Sequence, residues 1–106
     1  MTELKAKVWL EKDGLPVLGE GRARLLEAID EEHSILKAAE KLGMSYRHAW
    51  GLIQKIRESL GESVVLSIRG GDKGGSTELN ENGRRLLKEY YDKAHKLERI
   101  LEKAHL

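Results

Sequence analysis

The sequence predicts a mainly α-helical domain with a small amount of β structure, in the order β-β-α-α-α-β-β-α. Three observations predict it. Apolar residues recur at helical spacing in four separate segments. Two shorter segments, at 4–18 and 64–79, carry strand-like patterns around glycine-containing turns. The chain has 106 residues, enough for one domain and too few for two.

Residues 4–18 read as a β-hairpin. Ala6, Val8 and Leu10 alternate with Lys5, Lys7, Trp9 and Glu11, Asp13-Gly14 is a turn signal, and Leu15–Leu18 is the return strand. Pro16 suits an edge strand, because it has no N–H to give to a neighbour. From Gly21 the period changes to that of a helix ending near Glu32, with Leu25, Leu26 and Ile29 on one face. Ser34 is placed to cap a second helix, whose apolar residues Ile35, Ala38, Ala39 and Leu42 follow i, i+3, i+4, i+7. Gly43 stands where a helix end favours a left-handed residue. Ser45 can cap a third helix, from Tyr46 to about Leu60, closed by Gly61. Val64 to Ile68 is a strand, Thr77–Leu79 its short partner, and Asn80 the cap of a long last helix.

Composition narrows the class. Apolar residues make up 40% and charged residues 35%, the range of a folded soluble domain. No apolar run is long enough to cross a bilayer and no signal-peptide pattern opens the chain, so a cytoplasmic protein is expected. Cysteine is absent, which excludes disulfides and thiolate metal sites. The net charge is only +1, but residues 1–33 hold 5 basic and 8 acidic side chains, and the remainder is mildly basic. That distribution favours a negatively charged partner for the C-terminal two thirds.

Residues 34–60 concentrate the functional signal. Two capped helices meet at the tight turn Gly43-Met44-Ser45, with small Ala39 where they cross. This is the spacing of a helix-turn-helix. On a helical wheel of the third helix, Ala49, Leu52, Ile53, Ile56 and Leu60 share the core face. Arg47, Gly51, Gln54 and Glu58 lie opposite, flanked by His48, Lys55 and Trp50. Ser45, Tyr46, Arg47, His48, Gly51, Gln54 and Lys55 are therefore the candidate DNA contacts. Arginine can pair with guanine and glutamine with adenine through two hydrogen bonds each. Gly51 would let the helix backbone approach the groove. Trp50 is expected to be a partly buried packing residue.

A helix-turn-helix followed by a hairpin is a winged helix. The wing tip would be Gly70–Gly75, with Arg69 and Lys73 supplying positive charge to phosphates. The stretch is not a nucleotide-binding loop, because Gly75 is followed by Ser76 where that motif needs lysine. In the last helix Leu87, Tyr90, Ala94, Leu97 and Leu101 are spaced 3, 4, 3, 4, an a/d seam. From Ala94 onward this seam is expected to lie beyond the domain's own core and to join a second copy. A symmetric dimer would present two third helices to one face of a palindromic double-stranded DNA.

These motifs resemble a known family. "GMSYRHAWGLIQKI" followed by "RGGDKGGSTELNENGRRLL" is similar to the N-terminal DNA-binding domain of the ModE molybdate-responsive transcriptional regulators. That family shows a Ser-Tyr-(Lys/Arg)-x-Ala-Trp helix, a wing rich in Gly and Lys, and a Leu-Thr-x-x-Gly-x-x-Leu start to its linker helix. The matching residues run from Ser45 to Trp50 and from Leu79 to Leu86, with Asn80 in place of the usual threonine. The related LysR-type regulators share the winged helix and linker helix but not the glycine-rich wing. The resemblance implies dimeric, sequence-specific DNA binding. Family members sense oxyanion through C-terminal Mop-type domains, and this sequence stops at Leu106. A stand-alone DNA-binding regulator is therefore expected, and the molybdate response of the family is not carried over to it.

The expected division is a single domain: hairpin 1–18, helices 21–60 with the helix-turn-helix at 34–60, wing 64–79, and linker or dimer helix 80–106. Other classes fit less well. A protein-interaction module or an architectural DNA binder would share the fold. No enzyme, metal or cofactor is expected. His33, His48, His95 and His105 are scattered, Ser45 is explained as a cap, and Asp30, Glu31 and Glu32 sit at a helix end.

Overall fold

The structure is a computed structural model and describes residues 1–68 and 75–104. Its elements follow the expected order: β1 Trp9–Lys12, β2 Leu15–Gly19, α1 Glu20–Glu32, α2 Ile35–Lys41, α3 Tyr46–Leu60, β3 Val65–Ile68, β4 Ser76–Leu79 and α4 Glu81–Ala104. The expected class, mainly α with small β, is the observed one. Arg69 and Lys73, expected at the wing tip, lie outside the described residues.

The first hairpin is shorter than its alternation predicts. β1 and β2 pair antiparallel from Trp9↔Gly19 to Lys12↔Leu15. Asp13 and Gly14 turn it with φ of 52° and 80°, both in the left-handed region that a two-residue hairpin turn requires. The ladder stops at Gly19 because α1 begins at Glu20, so residues 4–8 have no strand left to pair with. A bulge follows Leu10 and skips Val17. Val17 and Leu18 are both buried, although successive strand residues normally face opposite ways. β2 thereby packs against both α1 and α3.

The helix ends are those expected, with their partners now visible. Ser34 Oγ accepts the backbone N–H of Lys37 at 3.1 Å, and Ser45 Oγ that of His48 at 3.0 Å. Gly43, at φ 70°, donates its N–H to the Glu40 carbonyl at 3.1 Å, and Met44 donates to that of Ala39 at 3.0 Å. This paired closure satisfies carbonyls that the end of α2 would otherwise leave bare. Gly61 closes α3 at φ 84°, and Lys12 Nζ reaches the Leu60 carbonyl at 2.7 Å, placing a cation at the negative end of the helix.

The core comprises Val17 and Leu18 of the hairpin, Ala23, Leu25, Leu26, Ala28 and Ile29 of α1, Ala38 and Ala39 of α2, Ala49, Ile53 and Ile56 of α3, Val64 and Leu79 at the wing base, and Leu86, Tyr90 and Ala94 of α4. Leu52 and Leu60 are half-buried at its edge.

The wing base is tied in two directions. Thr77 donates its backbone N–H to the His33 carbonyl at 2.9 Å, joining β4 to the α1–α2 connection. Asn80 Oδ1 accepts the N–H of Gly83 at 2.9 Å, and its Nδ2 donates to the Ser63 carbonyl at 2.8 Å. One side chain thus caps α4 and holds the loop before β3.

α4 lies against α1. Tyr91 donates its phenol to Glu27 at 2.7 Å and stacks on His95 with ring centres 5.8 Å apart. Burial, reinforced by the bond to Glu27, pushes the Tyr91 phenol up to about 12, and burial raises Tyr90 as well. A raised phenol favours the neutral form in the fold. Its contribution is complete below the unfolded phenol pKa of about 10 and is lost as pH rises through about 12. Thermal melts should therefore fall over that window, and Tyr91→Phe should fall less steeply. An identical slope in the two proteins would sink the assignment.

Candidate nucleic-acid interface

α3 divides as its sequence periodicity predicts. Ala49, Ile53 and Ile56 are buried, while Tyr46, Arg47, His48, Gly51 and Lys55 are exposed and Gln54 is half-buried. Ser45 is exposed at the cap, its oxygen engaged by His48 N–H. The helix-turn-helix brings these residues onto one outward surface, because α2 and the hairpin cover the opposite side of α3.

The cations of this surface are unpaired, with one acid, Glu58, further along the same face. Arg47, His48 and Lys55 form no side-chain hydrogen bond or ion pair among the described residues. On α4, by contrast, Arg84, Arg85, Lys88 and Lys93 pair with Asp30, Glu81, Asp92 and Glu89 respectively. Such exposed pairs add little stability, but they cancel charge locally. α3 leaves its charge available.

Gly51 has nothing within 4 Å of where a Cβ would stand, so no neighbour within the described chain requires a glycine there.

Trp50 is partly covered, as its flank position predicts, yet 44% of it stays exposed. α3 reaches the core through Ala49, Ile53 and Ile56, and a residue about 100° round the helix from their mean direction faces away from it. The wheel position beside Gln54 already carried that signal.

The last helix corrects a second expectation. Tyr90 is 5% exposed and Ala94 9%, so these two seam positions are spent on the domain's own core. Val8, just before β1 and outside its pairing, packs against this core, and Tyr90 Oη donates to its carbonyl at 3.3 Å. Leu97 and Leu101 are half-buried along the same groove, Leu87 is half-buried, and Ile100 is exposed. Among the described residues no cluster of acids and histidines could hold a metal ion, and no helix is long and apolar enough to cross a membrane.

The fold and the exposed face of α3 define a winged helix-turn-helix domain of the kind found in DNA-binding transcription regulators. The family model of bacterial regulatory helix-turn-helix proteins of the lysR family matches residues 21–84, and the chain belongs to that family. It is 38% identical over 89 residues to the molybdenum transport protein ModE of Azotobacter vinelandii, covering 84% of this chain and 33% of ModE. It is 34% identical over 84 residues to the molybdenum-pterin-binding protein MopA of Rhodobacter capsulatus, covering 79% and 32%. The resemblance to ModE is thereby borne out, and the chain spans about a third of the length of the curated relatives it matches. Among solved structures, the CbnR DBD–DNA complex superposes with a TM-score of 0.62 at 18% identity, over 80% of this chain and 92% of that one. That likeness shows the fold.

Proposed function

We propose that this chain is the DNA-binding part of a dimeric transcription regulator that recognises a palindromic site in double-stranded DNA. The observation that carries the reading is the unpaired cationic face of α3 around an exposed glycine. Phosphates attract such a face, and a helix presented in this way fits the major groove. Within it Arg47 reads a base edge, His48 and Lys55 serve the backbone, and Ser45 and Tyr46 lie at the end that enters the groove. Arg69 and Lys73 would add phosphate contacts from the wing. The fold likeness to a structure solved on DNA supports the same reading.

The dimer is carried by α4. Leu87, Leu97 and Leu101 remain half-buried, and Ile100 is 61% exposed. A second copy would cover them, and a dimer that reads a palindrome holds its two α3 helices about 34–36 Å apart.

Selection of random duplexes by the purified protein at physiological salt tests the proposal. An enriched palindrome with half-sites about one helical turn apart is expected. Arg47→Ala should then bind that site about 10- to 100-fold more weakly and lose discrimination at one base pair. A bound pool without any enriched motif would instead favour an architectural binder or a protein-interaction module.

A further inference from the structure

We propose that Trp50 reads thymine: its exposed indole covers the C5-methyl group of an A·T pair whose adenine is held by Gln54. The inference rests on the reading that α3 enters the major groove, and it names what one part of that face recognises.

Packing within the chain accounts for only part of this side chain. Trp50 is 44% exposed, and its indole N–H meets no acceptor among the described residues. The other tryptophan differs, since Trp9 Nε1 donates to Glu11 at 2.7 Å. A large ring left half in water forgoes stabilisation that a complementary apolar surface would restore.

Its position selects that surface. Trp50 precedes Gln54 by one turn, about 6 Å along the axis and about 40° round it. Arg47 and Gly51 lie on the other side of Gln54, so the indole borders the polar strip and does not stand apart from it. Glutamine satisfies adenine through N6 and N7. The thymine of that pair then presents O4 and its methyl group to the same groove. Arg47, His48, Ser45 and Lys55 are polar, and Tyr46 stands two turns from Gln54. Trp50 is the apolar side chain within one turn of it on this face.

Replacing single thymines by deoxyuridine in the selected duplex removes the methyl group and nothing else. Wild-type binding should weaken about fourfold at one thymine per half-site, the effect of one buried methyl group. Trp50→Ala should bind the thymine duplex at least that much more weakly and show no further loss with deoxyuridine. Trp50→Phe should retain the methyl dependence. A wild type that binds its site but ignores every methyl group would overturn this assignment alone, as would an undiminished methyl effect in Trp50→Ala. A wild type with no preferred duplex would overturn the DNA-reading proposal along with it.

Discussion

Alanine at position 83 is expected to destabilise the domain by about 3 kcal/mol or to prevent folding. Gly83 is buried in the first turn of α4, and an added Cβ would overlap the Val64 carbonyl oxygen. It would also stand 3.2 Å from the Val64 carbonyl carbon and 3.3 Å from Leu79 Cβ. The obstacle is backbone, so no rotamer change relieves it. Moving Val64 breaks the bond its carbonyl accepts from Asn80 N–H at 3.0 Å, and moving α4 breaks the Asn80 cap. Glycine normally weakens a helix by about 1 kcal/mol relative to alanine, and here the overlap outweighs that gain. Urea denaturation of Gly83→Ala is the measurement. A variant as stable as wild type would show that α4 and the wing base do not meet this closely.

The opposite result is expected at Gly51. Leucine there meets open space, so the helix should gain about 0.8 kcal/mol from propensity alone. The same side chain would hold the α3 backbone away from a DNA groove. Binding to the selected site should fall by at least about tenfold, equivalent to about 1.4 kcal/mol. Melting and binding assays on one preparation separate the two effects. A stabilised Gly51→Leu that binds DNA like wild type would place the contact on another face of the helix.

The two glycines show what sequence patterning conveys and what it conceals. Local signals were legible because their causes are local. Ser34, Ser45 and Asn80 cap helices through bonds spanning three residues, and Gly43 and Gly61 end helices by adopting a positive φ. The polar face of α3 follows from a period of 3.6. The role of Gly83 depends on Val64, nineteen positions earlier in the chain, and no periodicity records that approach. The limits of β1 depended on where α1 begins. The burial of Tyr90 involves the Val8 carbonyl, in a segment that the alternating pattern assigned to a strand. The partial burial of Trp50 was legible from its place on the flank of α3, between the core face and the polar strip.

Asn80 and Gly83 have a mechanical consequence. Between them they weld the base of the second hairpin to the first turn of the long helix, through Ser63 on one side and Val64 on the other. The hairpin and helix then turn as one lever. In a two-fold assembly built along α4, the separation of the two hairpins would be fixed by the angle at which the paired helices cross. A torque applied far down the helix would arrive at the hairpin base as a rotation.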